Sequence, residues 1–437
     1  MTDASTGPAL GTVTLRRVTR RLIPFMFLLY IANYLDRVNV SFAALHMNRD
    51  LGFSGAAYGL GAGMFFLGYC LFQVPSNLVL ARVGARRWIG SLMIVWGTIA
   101  SAMMLVRGVA SFYTLRALLG VVEAGFFPGM ILYLTYWFPA VERARAVASF
   151  MTAIPVSGIV GGPLSGALLG LNGVAGLAGW QWLFLLEGLP STLLGATALW
   201  YLTDRPEDAS WLPAEGRAWL VERLRREQSS GGQAERTRAS LRQGLLDGVV
   251  WQLGLLYFLI IAGLYGQGLW LPQIIKGSSQ LSDLTVGMLS VAPALVAAVA
   301  MVAWGARSDR TGERHLHVAA PLAAGAVGFL ATAVTRDVPL LATAALSLSA
   351  VGFTSALGPF WALPTAFLRG TAAAGGIALI NALGNVAGFA SPYLVGLVKD
   401  ATGGYAGALI VLALLMLAGA TLALALRRAP ALRPAAG

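Results

Sequence analysis

Twelve apolar stretches, each long enough to cross a membrane, run through this 437-residue sequence. A helix needs about 20 apolar residues to span the hydrocarbon of a bilayer, and it satisfies its own backbone polar groups there. Apolar residues make up 57% of the sequence and charged residues 11%, whereas about 45–50% and 25% are usual in soluble proteins. We therefore predict an all-α polytopic membrane protein, with spans near residues 22–43, 56–80, 87–106, 112–137, 144–170, 180–201, 247–275, 285–306, 316–334, 338–361, 371–398 and 404–427.

A charged interruption separates the first six spans from the last six. Within it, the stretch from Pro213 to Gln228 is amphipathic and predicts a short helix along the inner membrane face. Its apolar side, with the preceding Trp211, would face lipid or protein; these residues are Trp211, Trp219, Leu220 and Leu224. The predicted order is a cytoplasmic tail (1–21), a six-helix bundle (22–201), a cytoplasmic linker (202–246), a second six-helix bundle (247–427) and a cytoplasmic tail (428–437).

The net charge of +12 comes mostly from arginines in the loops on one side of the predicted bundle. Such a bias marks the cytoplasmic side of a membrane protein. We therefore attribute the basic charge to membrane orientation and not to nucleic-acid binding, and expect both termini in the cytoplasm. The natural location is the cytoplasmic membrane of a bacterium.

The sequence offers no recognisable metal, cofactor or catalytic site. His46, His315 and His317 lie in predicted loops without carboxylates at metal-ligand spacing. The glycine-rich segments follow no strand, so they do not predict phosphate-binding loops. We expect neither an enzyme nor an ATP-driven pump.

Four ionisable side chains interrupt the apolar spans of the first half: Asp36, Arg37, Arg116 and Glu123. A charge near the bilayer centre costs roughly 2.5–3.5 kcal/mol on insertion scales, so such residues usually face a watery cavity. Arg116 and Glu123 are seven residues apart and therefore share one helix face. All four fall at comparable depths, and we call them the charged cluster.

These residue types together are suited to coupling an anion to a proton. An acid paired with arginine stays ionised, and it accepts a proton more easily once an arriving anion takes that arginine. Arginine binds carboxylates through two parallel hydrogen bonds. Our hypothesis is that Arg37 and Arg116 engage or gate the anion while Asp36 and Glu123 carry the proton. The alternative is that all four form only structural ion pairs.

Neutral polar and aromatic residues are further candidates for contacts with a substrate. Asn381 and Asn385 are one turn apart on one face of their span and offer both donors and acceptors. The aromatic candidates are Tyr34, Tyr69, Tyr257 and Trp361. Each could instead serve helix packing or the membrane interface. We interpret Glu187 as a structural hydrogen-bonding residue, with a third proton site as the alternative.

A loop motif occurs at the same place in both halves. Gly305, Asp309, Arg310, Gly312 and Arg314 follow span eight, and Arg82, Gly84 and Arg86 occupy the matching register after span two. Asn77 and Ala81 replace the glycine and the aspartate there. Related halves joined by a linker predict two pseudo-symmetric bundles that rock about a midplane site.

The second-half motif resembles the signature of the major facilitator superfamily. Within it, the sequence is similar to the anion:cation symporter family, which includes bacterial permeases for tartrate, phthalate, hydroxyphenylacetate and sugar acids. Gln73 departs from that family, where a glutamate is usual. The segments that carry the resemblance are Asn33-Tyr-Leu-Asp-Arg-Val-Asn-Val, Val74-Pro-Ser-Asn-Leu, Gly84-Ala-Arg-Arg-Trp, Arg116-Ala-Leu-Leu-Gly-Val-Val-Glu-Ala-Gly-Phe-Phe-Pro and Tyr136-Trp-Phe-Pro.

The resemblance implies the same roles for the charged cluster and places Trp361, Asn381 and Asn385 at positions that face the substrate. We expect proton-coupled import of a small organic carboxylate, with the proton as coupling ion and no cofactor. The expected partners are the substrate anion and the lipid bilayer, without an obligatory protein partner, and a monomer suffices. Two alternatives stay open: an anion exchanger or facilitator without proton coupling, and a transporter-like membrane sensor.

Overall fold

The computed structural model describes residues 6–230, 247–277, 279–367 and 370–428, which form helices and connecting loops. The parts of the predicted tails and linker at 1–5, 231–246 and 429–437 lie outside the described residues. The helices are α1 (Thr6–Asp50), α2 (Gly55–Val83), α3 (Ala85–Ala102), α4 (Val109–Glu123), α5 (Phe126–Trp137), α6 (Ala140–Met151), α7 (Ala153–Leu169), α8 (Gly179–Tyr201), α9 (Ala214–Ser230), α10 (Gly248–Gly268), α11 (Leu271–Lys276), α12 (Asp283–Leu289), α13 (Val291–Thr311), α14 (His315–Thr335), α15 (Pro339–Phe367), α16 (Gly370–Thr402) and α17 (Tyr405–Leu426).

The helices form twelve successive passes through the bundle. Eleven helical stretches of the described residues are long and apolar enough to cross a membrane. The remaining pass is the 45-residue α1, whose middle carries the polar residues Asn33, Asp36, Arg37 and Asn39. We call the end where α1 begins and α17 ends the proximal end, and the opposite end the distal end.

Four of the passes are broken into two helices each: α4–α5, α6–α7, α10–α11 and α12–α13. In each pair, a proline stands within the first three residues of the second helix, at Pro128, Pro155, Pro272 and Pro293. Proline lacks an N–H and clashes with the carbonyl four residues earlier, so a continuous helix is disfavoured at these positions. The first of these breaks follows Glu123 directly.

The linker helix α9 covers most of the predicted amphipathic stretch and packs against α1. Leu220 is fully buried, and the ring of Trp219 packs on Gly11, where no side chain would fit. Trp211 stacks on Trp137 of α5. Helix α1 begins at Thr6 and so extends well beyond the predicted first span, and α9 packs against this N-terminal extension.

The two six-pass halves touch mainly through two helix pairs, α2 with α16 and α7 with α12. Gly162 of α7 and Gly287 of α12 allow the backbones of that second pair to meet directly. All five hydrogen bonds that join the halves in the described residues lie near the distal end, between residues 46–58 and residues 269–400. The structure is thus held closed at the distal end.

Candidate functional site

Three members of the charged cluster, Arg37, Arg116 and Glu123, lie where α1, α2 and α4 approach one another in the first half. Gly120 makes this approach possible, since a side chain there would collide with the backbone oxygen of Phe65 on α2. Gly120 lies between Arg116 and Glu123 on α4. The close contact therefore brings both charged residues beside the aromatic residues of α2.

Arg37 and Glu123 form an ion pair between α1 and α4. The Nε and Nη2 of Arg37 both donate to Oε1 of Glu123, the first over 2.8 Å. The Glu123 side chain is only 2% exposed, whereas that of Arg37 is 16% exposed. Arg37 is therefore the member of the pair that an incoming solute can reach.

Aromatic rings of α2 surround the guanidinium of Arg37. Its central carbon lies 5.2 Å from the ring centre of Phe65 and 5.3 Å from that of Tyr69. Such cation–π contacts stabilise a desolvated guanidinium. Tyr69, one of the aromatic candidates, thus lies beside Arg37. Tyr34, one turn before Arg37 on α1, is partly exposed.

The side chain of Asp36 contacts different helices from that of its neighbour Arg37. Its Oδ2 accepts hydrogen bonds from Nε1 of Trp96 on α3 over 2.9 Å and from Oγ of Ser191 on α8 over 2.5 Å. The side chain is buried, and its Oδ1 has no hydrogen-bond partner among the described residues. Asp36 is thus held by neutral donors, away from the Arg37–Glu123 pair.

Arg116 is a buried cation without an ion-pair partner in the described part of the chain. Its Nη2 donates to the backbone oxygen of Ala62 over 3.2 Å, and its guanidinium lies 5.1 Å from the ring centre of Phe65. Its Nε has no acceptor among the described residues. The two arginines therefore approach the same phenyl ring, and Arg116 retains an unused donor.

Glu187 lies apart from this pair, on α8 one turn before Ser191. Its Oε1 accepts a hydrogen bond of 2.8 Å from Ser165 on α7. It is buried, and its Oε2 has no partner in the described residues. This contact fits the structural interpretation of Glu187.

The neutral candidates of the second half are partly exposed. The rings of Tyr257 and Trp361 lie 4.9 Å apart, and Phe360 stacks on Tyr257 at 5.1 Å. Asn385 has an amide nitrogen without a partner among the described residues, and Asn381 lies one turn before it on α16. Tyr257 and Trp361 are thus in contact with each other, and Asn385 retains an unused donor.

In both halves a glycine of the loop motif ends the preceding helix with a positive φ, although the two glycines differ in ψ, which is 151° at Gly84 and −6° at Gly312. Gly84 and Gly312 both have positive φ, at 90° and 67°, which favours glycine. Arg314 donates to Oδ1 of Asp309 over 2.7 Å. Of the other motif residues, Arg82, Arg310 and Gly305 are exposed or partly exposed at the proximal end.

The first-half motif takes its acid from elsewhere in the chain. Oδ1 of Asp204, which follows α8, accepts the backbone N–H of Arg86 over 2.9 Å, and its Oδ2 lies 3.7 Å from the Arg86 Nε. Asp204 thus supplies the carboxylate that the first-half motif does not contain, since Ala81 occupies the position of Asp309. This role was missed by sequence reasoning, as were those of Trp96, Ser191 and Phe65, because each comes from a distant segment.

The described residues contain no group of three His, Cys, Asp or Glu side chains that could hold a metal ion. The buried charged side chains of the first half and their hydrogen-bond partners come from α1, α2, α3, α4, α7 and α8. The chemistry that they offer is the exchange of one anion for another on an arginine and the binding of a proton by an acid.

Comparison with known proteins identifies the family. Residues 26–392 match the model of the Major Facilitator Superfamily. A proposed tartrate transporter of Agrobacterium vitis is 50% identical over 420 residues, covering 96% of each chain. A proposed metabolite transport protein of Pseudomonas putida, NicT, is 43% identical, covering 91% of this chain and 90% of its own.

Solved structures support the same fold. A bacterial homologue of the human lysosomal transporter Spinster, in an inward-facing and occupied conformation, superposes with a TM-score of 0.78 at 17% identity. The match covers 93% of this chain and 96% of that one. The predicted fold class, an all-α bundle of twelve membrane passes, is confirmed. The chain belongs to the Major Facilitator Superfamily and is a multi-pass membrane transporter, not an enzyme.

Proposed function

We propose that this transporter carries a small organic carboxylate together with a proton. The observation that supports this most directly is the Arg37–Glu123 pair, in which a partly exposed arginine is neutralised by a buried acid. A buried charge that loses its partner is costly. Binding of an anion to Arg37 is therefore linked to protonation of Glu123.

The coupling step is an exchange of partners. The substrate carboxylate accepts the hydrogen bonds of Arg37 that Glu123 accepts in its absence. Glu123 then takes up a proton and becomes neutral, so the site gains one anion and one proton together. When the proton leaves, Glu123 competes again for Arg37 and releases the substrate. Asp36 is the second proton carrier in this proposal.

Arg116 supplies a second positive charge beside the same phenyl ring. Its unused Nε–H and its lack of a described counter-ion favour the entry of an anion. Since it is fully buried in the distal-closed state, we assign it to gating or to longer-range attraction of the anion.

A hydroxylated dicarboxylate fits the donor set best. Its carboxylates suit the arginines, and its hydroxyls suit the amides of Asn381 and Asn385 and the hydroxyls of Tyr34, Tyr69 and Tyr257, while Trp361 packs against the carbon skeleton. The A. vitis relative is a proposed tartrate transporter at 50% identity, which supports tartrate as the first substrate to test.

The arginine-rich loops orient the protein. They favour a cytoplasmic location for the proximal end, so that both termini lie on the cytoplasmic side of a bacterial cytoplasmic membrane. The distal end then faces outward, and the direction of transport is import. The chain contains both halves, so a monomer suffices, and the proton is the coupling ion without a further cofactor.

Uptake by purified protein in liposomes tests this proposal. The probes are radiolabelled tartrate, a sugar acid, hydroxyphenylacetate and phthalate, with the outside acidic. We expect tartrate to accumulate above its external concentration and an uncoupler to abolish the accumulation. Equilibration without accumulation would instead establish a facilitator or exchanger. Binding of a substrate without any flux would establish a membrane sensor.

A further inference from the structure

The N-terminus of α2, at the distal end of the first half, is capped by an acid from the second half. Asp400 of α16 accepts the backbone N–H of Gly55 on its Oδ1 over 2.8 Å and that of Ala56 on its Oδ2 over 2.7 Å. Ser54, the residue before α2, caps Ala57 over 3.1 Å. Helix α2 thus has one cap from its own half and one from the other half.

Asp400 reaches α2 only because the two helices touch. Gly55 of α2 meets Gly396 of α16 backbone to backbone, and Gly59 likewise meets Pro392. A side-chain carbon on Gly59 or Gly396 would collide with the partner backbone, and one on Gly55 would collide with the Asp400 carboxylate. Hydrogen bonds of this kind hold at about 2.7–3.2 Å, so a separation of the halves by a few ångströms at this end breaks the cap.

The remaining links between the halves lie at the same end. His46 contacts Asp283 over 2.7 Å, and the Tyr58 hydroxyl donates to the Leu269 backbone over 2.7 Å. Asn48 donates to Gln273 over 3.4 Å, and within the second half Lys276 pairs with the other oxygen of Asp283 over 2.6 Å. The Asp400 cap differs from these links because it places a negative charge on the positive end of a helix dipole.

We propose that Asp400 is a gating residue, whose cap on α2 favours the distal-closed state over the distal-open state. The proposal rests on the alternating access that the proposed function requires. A cap supplied by the same half, such as Ser54, acts equally in both states. A cap supplied by the other half acts only while the distal end is closed, so it shifts the balance between the states.

The balance can be measured without a substrate. Nitroxide spin labels replace Arg49 and Asp337, which are exposed at the distal ends of the two halves, in a Cys70→Ser background. Pulsed electron resonance then gives the distance distribution between the labels in lipid nanodiscs. The test variant is Asp400→Ala. The matched control is Ser54→Ala, which removes the other cap of the same helix.

We expect Asp400→Ala to raise the population ratio of long to short label distances by a factor of about 2 to 30. This is the range that the loss of a helix cap gives. Ser54→Ala should leave the ratio unchanged. An unchanged ratio in Asp400→Ala, or an equal increase in both variants, would overturn the proposal. If tartrate is not taken up but the distances shift as expected, the proposed substrate is wrong and the proposed gating role of Asp400 stands.

Discussion

Arg37 donates twice to Glu123, a residue 86 positions later in the chain. The pair joins α1 to the last residue of α4, directly before the break that precedes α5. A substrate anion and Glu123 therefore compete for one guanidinium. This competition is the basis of the proposed coupling between anion and proton.

Arg37→Lys should weaken substrate binding and keep the charge. A lysine ammonium cannot offer the planar pair of donors that arginine presents to a carboxylate. Losing one charge-assisted hydrogen bond costs about 1.5–3 kcal/mol, so the substrate concentration for half-maximal uptake should rise roughly tenfold or more. Concentration-dependent uptake in liposomes measures this. Arg49→Lys, at an exposed distal position, is the control, and equal values for both variants would contradict the assignment.

Gly120→Ala should disrupt the site through packing alone. The added methyl group would collide with the Phe65 backbone oxygen, pushing α4 away from α2. Overpacking of this kind costs about 1–3 kcal/mol, occasionally more. We expect a lower unfolding temperature and slower uptake. Gly108→Ala, at the start of the same helix with open space around it, should behave as wild type in both assays; parallel losses in both variants would refute the packing argument.

Asp204→Ala should destabilise the proximal end of the first half. The substitution removes the acceptor for the Arg86 backbone N–H and the partner of its side chain. The lost hydrogen bond is worth about 0.5–1.5 kcal/mol, and the half-exposed ion pair adds little. Thermal unfolding in detergent tests this. The nearby exposed Asp208→Ala provides the comparison, and an equal shift for Asp208→Ala would remove the special role of Asp204.

Glu187→Gln should retain gradient-driven accumulation. The glutamine amide oxygen can still accept the hydrogen bond that Ser165 donates to Glu187, and the structural interpretation requires nothing further of this side chain. Liposome uptake with the outside acidic measures the outcome. Lost accumulation with intact exchange would instead make Glu187 a third proton site.

The overall architecture was predictable because membrane spans are specified by local composition. The all-α bundle of membrane-spanning helices follows from the length and number of the apolar stretches. The broken passes were not predicted, although a proline marks each one, because proline also occurs inside continuous helices such as α2 and α8.

The partners within the site could not be predicted in the same way. Asp36 and Arg37 are adjacent in the sequence, yet they bind groups on different helices. The rotation of α1 against α3, α4 and α8 determines which partner each one meets. That rotation depends on tertiary packing, for example the close approach of Gly161 on α7 to Leu35 on α1, which a single sequence does not reveal. For the same reason, the sequence did not reveal that Asp204 takes the place of the aspartate missing at Ala81.

The central claim is that Glu123 carries the coupled proton, and Glu123→Gln in liposomes tests it most directly. Two assays are compared: accumulation of labelled tartrate with the outside acidic, and exchange of labelled for unlabelled tartrate at equal pH. Glutamine can accept hydrogen bonds from Arg37 but cannot take up a proton. The account predicts that accumulation is abolished while exchange persists. Undiminished accumulation driven by the pH gradient would contradict it.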